Sequence, residues 1–131
     1  MILVDTCVLL DIFTADPNWL AWSMENLQAQ ATSGLGISDI VFAELAAAFD
    51  TPEAEMQTLE KMRISILRPS PHALFGAGQA FARYKRNRGT AKLILPDFFI
   101  GAHAETEKMA LLTRDCDRYL TYFPTVVLIR P

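Results

Sequence analysis

The sequence predicts an α/β fold, a three-layer α/β/α sandwich built around a short parallel central sheet. Three observations lead to this prediction. Short apolar segments alternate with longer segments of helical periodicity, the short segments have no polar face, and turn-forming residues separate the two kinds. Strands that are apolar on both sides are typical of parallel sheets covered on both faces.

Five segments are predicted as strands because each is short, apolar and bounded by polar or turn residues. They are MILV at 1–4, LGI at 35–37, ISIL at 64–67, ALLT at 110–113 and VVLI at 126–129.

The segments between the strands are predicted as helices from their apolar spacing and their start signals. Asp5 or Thr6 is expected to cap the first helix and Ser38 the third. The predicted helices run from there to Phe13, then over 19–32, 40–50, 52–62, from Pro71 to about Arg88, over 96–109 and, as a short turn, over 117–123.

Composition suits one globular domain, predicted to span 1–131. Hydrophobic residues make up 51% of the chain and charged residues 21%, which is ample for a buried core. The net charge of −3 disfavours a basic nucleic-acid coat protein, but it does not exclude a nuclease with an acidic metal site. The chain has only two cysteines, which suggests a reduced setting. It has no apolar run long enough to span a membrane and no signal segment, so we expect it in the cytoplasm and not in a membrane.

Four acidic residues border the predicted carboxyl-terminal edge of the sheet: Asp5, Glu44, Asp97 and Asp115. Taken one at a time, three of these acids have ordinary structural explanations: Asp5 and Asp97 favour the start of a helix, and Asp115 favours a turn. Glu44 lies within the apolar FAELAAAF, where an unpaired buried carboxylate is costly. Ligands gather at this edge in such folds, and one or two Mg²⁺ or Mn²⁺ ions, which prefer oxygen ligands, would relieve the repulsion.

Five of the twelve basic residues cluster within ten positions: Arg83, Lys85, Arg86, Arg88 and Lys92. Two explanations stay open. The cluster is either a solvated helix end, favoured by the helix dipole, or a patch that contacts RNA phosphates.

Several stretches together resemble PIN-domain ribonucleases, and more closely the VapC toxins of type II toxin–antitoxin modules. They are VDTCVLLD at 4–11, FAEL at 42–45, LPDFFIGAHA at 95–104, LLTRDCDRY at 111–119 and YFPTVVLIRP at 122–131. The stretches follow the family's order and cover essentially the whole chain.

This resemblance implies a PIN fold with strand order 3-2-1-4-5 and cleavage of RNA phosphodiesters with Mg²⁺ or Mn²⁺. It assigns Asp5, Glu44, Asp97 and Asp115 as catalytic and metal-binding residues, with Thr6, Thr113 and Asp117 supporting them. Asp11 is expected to be structural, at a helix end or beside a neighbouring base. Cys7 departs from the family, in which Ser or Asn is common at this position.

The resemblance also implies the partners: an RNA substrate, a VapB-like antitoxin, a second copy of the chain in a homodimer, and operator DNA only through the antitoxin. The RNA is expected to be a structured transfer, ribosomal or messenger RNA. A catalytically silent PIN scaffold that only binds a protein partner is the alternative. Phosphoacceptor receivers and haloacid-dehalogenase phosphatases are disfavoured because VDTC supplies one acid after the first strand.

Overall fold

A five-stranded parallel sheet forms the centre of the protein, in a computed structural model that describes residues 1–87 and 94–131. The strand order is β3-β2-β1-β4-β5, as predicted. The strands are β1 Ile2–Val4, β2 Leu35–Ser38, β3 Ile64–Leu67, β4 Ala110–Leu112 and β5 Leu128–Ile129.

Seven α-helices connect the strands within the described residues. They are α1 Thr6–Phe13, α2 Leu20–Gln30, α3 Asp39–Leu45, α4 Pro52–Lys61, α5 Pro71–Asn87, α6 Leu95–Thr106 and α7 Asp117–Leu120. Single 3₁₀ turns, Ala31–Ser33 and Ala46–Ala48, extend α2 and α3. None of the helices in this part of the chain has both the length and the apolar character needed to cross a membrane.

The sheet reverses its direction of growth at β1. β1 pairs with β2 on one side and with β4 on the other, so Leu3 lies opposite both Gly36 and Leu111. Right-handed crossovers place the helices before and after this reversal on opposite faces of the sheet. The carboxyl ends of β1 and β4 thus lie side by side at the switch point, where α/β proteins bind ligands.

The core contains the strands and one face of each major helix. Leu3, Ile37 and Leu111 are completely buried in the sheet, and Phe98 of α6 packs against the rings of Phe81, Tyr84 and Tyr122. The aromatic contacts hold α6 against α5, which fixes the start of α6 relative to the sheet.

Gly101 lets α6 approach the segment after α7 closely. A Cβ atom at this position would collide with the Phe123 ring. The absence of a side chain at position 101 is therefore a packing requirement of α6, the helix that carries Asp97.

Two local predictions were wrong. The third helix ends at Leu45 rather than continuing to Asp50, because the chain tightens into a 3₁₀ turn and Phe49 is extended. Ser38 occupies the N-cap position of α3, but its side chain makes no capping hydrogen bond. The Ser38 hydroxyl is fully buried and has no hydrogen-bond partner among the described residues.

Candidate metal centre

Asp5 lies at the end of β1 and caps α1, so of the two caps that the sequence left open, Asp5 or Thr6, it is Asp5. Its backbone is extended, and its Oδ1 accepts a hydrogen bond of 2.8 Å from the N–H of Thr6. The backbone N–H of Asp5 donates to the carbonyl of Leu112 in the neighbouring strand β4. Asp5 is only 5% exposed, so its carboxylate is fixed by both the sheet and the helix.

Two threonines join Asp5 to the other acids. Thr113 donates a 2.7 Å hydrogen bond to Oδ2 of Asp5, and its hydroxyl also accepts from the backbone N–H of Asp115. Thr6 donates a 2.7 Å hydrogen bond to Oε1 of Glu44 on α3. The hydroxyl of each threonine thus orients a carboxylate on a different part of the chain.

Asp97 stands in the first turn of α6, directly after Pro96. Its Oδ2 accepts a 3.0 Å hydrogen bond from the backbone N–H of Ile94, which is half of a capping box. Its Oδ1 accepts from Nη1 of Arg118 at 3.3 Å. Asp97 is 5% exposed. It serves as the helix-start acid that the sequence suggested, and its carboxylate also contacts Arg118.

Asp115 follows β4 and contacts two arginines. Its Oδ1 lies 3.5 Å from Nη1 of Arg114, and its Oδ2 lies 3.9 Å from Nε of Arg118. Its side chain is 31% exposed. These contacts are long, so Asp115 is less tightly held than Asp5 or Asp97.

Arg114 is itself fixed by a buried network. It forms a bidentate ion pair with Asp11, with distances of 2.9 and 3.0 Å. Asp11 also accepts a 2.8 Å hydrogen bond from Ser23, and the Arg114 guanidinium lies over the Trp19 ring. The pKa of Arg114 is raised, first by the hydrogen bond to Asp11. The expectation that Asp11 is a structural partner of a base is confirmed.

The four predicted acids line a single cavity of about 200 Å³ at the carboxyl-terminal edge of the sheet. Its walls are Asp5, Thr6, Cys7, Leu10, Glu44, Asp97, Arg114, Asp115 and Arg118. Acidic residues up to 110 positions apart in the sequence, Asp5 and Asp115, thus converge as predicted. The catalytic and metal-binding roles of the acids stay a prediction.

Negative charge is costly in this cavity. Burial raises the pKa of Asp5, although hydrogen bonds from Thr113 and Thr6 oppose the shift, and the charge of Asp97 adds to it. Burial also raises the pKa of Glu44, opposed by the hydrogen bond from Thr6 and reinforced by Asp5 and Asp97. A cation near these carboxylates would stabilise their ionised forms.

Cys7 and Tyr119 border the same carboxylates. Burial, then the charge of Asp5, raises the pKa of Cys7 to about 12, so the thiol is protonated at neutral pH and its Sγ lies 3.6 Å from Oδ2 of Asp5. Burial raises the pKa of Tyr119 well above its ordinary value, and Asp5 and Asp97 add to the effect. Both side chains therefore stay neutral beside the acids.

Several predicted residues lie outside the cavity wall. Thr113 reaches the site through its hydrogen bonds, whereas Asp117 is exposed in the first turn of α7. Arg83, Lys85 and Arg86 are exposed near the end of α5, where Lys85 also lies over the Phe81 ring. Arg88 and Lys92 fall outside the described residues.

Sequence reasoning missed the two arginines of the cavity. Arg114 stands between Thr113 and Asp115, and Arg118 lies three residues after Asp115, so both are in a stretch that was singled out for its acids. Their closeness to acids along the chain is only a weak signal, because sequence spacing in a turn does not fix the direction of a side chain.

The donor set fits a hard divalent cation, since all four acids offer carboxylate oxygens. As the side chains stand, no group of three or more Asp, Glu, His or Cys residues within 1–87 and 94–131 is arranged to hold a metal ion. Oxygens of Asp97 and Asp115 are instead engaged by Arg118. His103, which is buried in α6, is not among the residues that line the cavity.

Residues 2–123 match the PIN domain family. The chain belongs to the PIN domain family. No curated protein sequence matches it significantly.

Solved structures show the same PIN architecture over almost the whole chain. VapBC2 from Rickettsia felis, bound to a DNA fragment from its promoter, matches with a TM-score of 0.73 at 22% identity, covering 99% of this chain and 98% of that one. DNA-bound VapBC from Salmonella typhimurium matches with a TM-score of 0.72 at 22% identity, covering 99% and 98%. FitAcB from Neisseria gonorrhoeae matches with a TM-score of 0.70 at 20% identity, covering 98% and 96%.

Proposed function

We propose that this PIN domain is a Mg²⁺- or Mn²⁺-dependent endoribonuclease, the toxin of a toxin–antitoxin module, which hydrolyses phosphodiesters in structured RNA. The observation that carries the proposal is the convergence of Asp5, Glu44, Asp97 and Asp115 on one cavity at the switch point of the sheet. The PIN family includes metal-dependent ribonucleases, and fold likeness to toxins in antitoxin complexes supports the biological role.

The four carboxylates have the chemistry that such a reaction requires. Asp5 and Asp97 would hold the metal, with Asp115 and Glu44 as direct or water-mediated ligands. A bound divalent cation lowers the pKa of water and neutralises charge that develops on the phosphate. Glu44 lines the same cavity, and in this proposal it would orient or deprotonate the attacking water.

The threonine hydroxyls have a positioning role in this proposal. Thr113 holds Asp5 and the backbone of Asp115 in one arrangement, and Thr6 holds Glu44. Carboxylates that are oriented before the substrate arrives need no rearrangement during the reaction.

Exposed basic residues near the end of α5 are candidate contacts for the RNA backbone. Arg83, Lys85 and Arg86 are exposed on the last turns of α5, which leads to the segment before α6 and Asp97. We propose that the exposed bases contact flanking phosphates, together with Arg88 and Lys92.

An apolar groove provides a candidate site for the antitoxin. It has a volume of about 220 Å³ and is lined by Ile12, Met24, Leu27, Gln28, Ala31, Leu35 and Met62. Met24 is 41% exposed in it. An amphipathic helix of a VapB-like antitoxin would bury this surface, and operator DNA would be reached only through that partner. The homodimer stays a prediction, testable by light scattering.

Cleavage of an end-labelled structured RNA tests the function. We expect activity with Mg²⁺ or Mn²⁺, and its loss on chelation with EDTA. Asp97→Asn and Asp5→Asn should each lower the rate on the order of 100-fold or more, because each removes a charged ligand. Asp50→Asn, which neutralises an exposed acid outside the cavity, is the charge-matched control.

The alternative is a silent scaffold that only binds a protein partner. A scaffold would bind the antitoxin but would show no metal-dependent cleavage in the same assay. Undiminished cleavage by Asp97→Asn or Asp5→Asn would instead show that the activity arises elsewhere.

A further inference from the structure

Arg118 places a positive charge inside the acidic cavity. Its Nη1 lies 3.3 Å from Oδ1 of Asp97, and its Nε lies 3.9 Å from Oδ2 of Asp115. The next residue, Tyr119, is completely buried and anchors the short helix α7. The backbone of Arg118 is therefore fixed at the rim, whereas its side chain, 43% exposed, reaches from solvent into the cavity.

The two arginines of the cavity are held in different ways. Arg114 is 25% exposed and is bound by Asp11 through two short hydrogen bonds in a buried network. Among the described residues, the side chain of Arg118 forms ion pairs with Asp97 and Asp115, two of the proposed metal ligands. The side chain of Arg118 can therefore move away from Asp97 and Asp115 without breaking a buried network. Movement of Arg114 would break its hydrogen bonds to Asp11.

Arg118 and a divalent cation would compete for the same oxygens. A guanidinium within 4 Å of Asp97 and Asp115 would also lie close to an ion bound by those residues, and two cations repel each other strongly in a partly buried site. A half-exposed side chain relieves this repulsion by turning toward solvent, which is where a phosphodiester approaching the cavity would lie. Arginine binds phosphate oxygens with paired N–H donors.

We propose that Arg118 is an exchangeable counter-ion of the active site. In the metal-free protein it neutralises Asp97 and Asp115, and when a divalent cation binds it turns outward and contacts an RNA phosphate. This inference rests on the proposed function. It also explains why the acids line one cavity although, among the described residues, they are not arranged to hold a metal as they stand.

Metal binding without RNA tests the first half of the proposal. We expect Arg118→Gln to bind Mn²⁺ about threefold to tenfold more tightly than wild type in calorimetric titrations, because a competing cation has been removed. Arg63→Gln removes the same charge from an exposed arginine before β3, outside the cavity, and should leave the Mn²⁺ affinity unchanged. Equal or weaker Mn²⁺ binding by Arg118→Gln would overturn the counter-ion role.

Steady-state kinetics with a fluorogenic RNA oligonucleotide at saturating Mn²⁺ test the second half. We expect Arg118→Gln to raise KM about tenfold with a smaller change in kcat, and to reduce the dependence of log KM on log salt by about 0.7, the loss of one phosphate contact. An unchanged KM and salt dependence would overturn the phosphate contact.

Asp97→Asn separates failure of this inference from failure of the proposed function. If Asp97→Asn loses Mn²⁺ binding while Arg118→Gln behaves like wild type, the metal centre stands and the role of Arg118 is rejected. If Asp97→Asn binds Mn²⁺ as wild type does, the proposed metal centre itself is rejected.

Discussion

At the scale of single residues, the site depends on hydroxyl groups as much as on acids. Thr113 is fully buried. Its hydroxyl donates a hydrogen bond to Asp5 and accepts one from the backbone N–H of Asp115. This geometry gives a physical reason for a Thr before the Arg-Asp pair. Valine, which is β-branched but has no hydroxyl, would fill the same space without forming either hydrogen bond.

We therefore expect Thr113→Val to lower the free energy of unfolding by about 1–3 kcal/mol, because it leaves a buried carboxylate oxygen and a backbone N–H without their partner. Cleavage should fall with it, since Asp5 loses its orientation. Thr113→Ser keeps the hydroxyl and should retain most of both properties. Urea unfolding and the RNA assay measure the effects; equal stability of the Val variant and wild type would contradict the assigned role.

We expect His103 to make the stability of the fold depend on pH. It is 2% exposed in α6, and its Nδ1 has no hydrogen-bond partner among the described residues. Burial lowers its pKa from the ordinary 6.5, although the charges of Glu107 and Asp39 oppose the shift. Because the unfolded chain takes up the proton more readily, the stability contributed by neutral His103 is present above pH 6.5 and is lost as the pH falls through the lower pKa of the folded state.

His103→Gln should flatten this part of the stability curve, because Gln takes up no proton. Thermal unfolding measured from pH 7.5 down to about pH 5 tests this. His72→Gln, at an exposed position of α5, controls for the removal of an imidazole. A wild-type pH dependence in His103→Gln would assign the effect to another group.

At the scale of elements, α6 is the part whose placement matters most for the site. It carries Asp97 in its first turn, and it packs against Phe123 at Gly101. The position of this one carboxylate thus depends on close packing one turn further along the helix.

Gly101→Ala should destabilise the protein by about 1–3 kcal/mol, because the new methyl group forces the Phe123 ring or α6 to move. Gly78→Ala is the matched control, since a Cβ there meets no atom within 4 Å, and alanine in helix α5 should stabilise by about 0.5–1 kcal/mol. Denaturant unfolding of the two variants should shift in opposite directions. Two equal shifts would contradict the packing argument.

Most elements could be predicted because their signals are local. All five strands were predicted from short apolar segments, and the cap of the first helix was narrowed to Asp5 or Thr6, of which Asp5 is the cap in the structure. The end of α3 could not be predicted, because the three alanines of AAAFD favour a helix, whereas Phe49 is extended and its ring packs against Phe13, which lies far from it in the sequence. Ser38 was predicted as a cap from residue type alone, but its hydroxyl is buried without a capping bond.

At the scale of the whole molecule, the convergence of the acids could be predicted from the strand order that the PIN resemblance implies, and the counter-ions could not be predicted. Parallel strands bring their carboxyl ends to one edge, so Asp5 and Asp115 had to be neighbours once β1 paired with β4. Side-chain direction in a loop or a four-residue helix has no such periodicity. The contacts of Arg114 and Arg118 with the acids could therefore be recognised only in the structure.

The same reasoning explains the two open interpretations of the basic cluster. A helix-end role follows from sequence alone, and Lys85 and Arg86 do lie in the last turn of α5. A phosphate-binding role depends on where those side chains stand relative to the cavity and on Arg88 and Lys92, which lie outside the described residues. Removal of charge by Arg83→Gln and Lys85→Gln together should weaken RNA binding and its salt dependence if the phosphate role holds.

The central claim is that a divalent cation is bound between carboxylates from β1, α3, α6 and the end of β4. Anomalous diffraction from crystals soaked in Mn²⁺ tests it most directly. The account predicts an anomalous peak in the cavity at about 2.1 Å from carboxylate oxygens of Asp5 and Asp97, with Arg118 turned away from them. An empty cavity at saturating Mn²⁺, with Arg118 still paired to Asp97, would contradict the account.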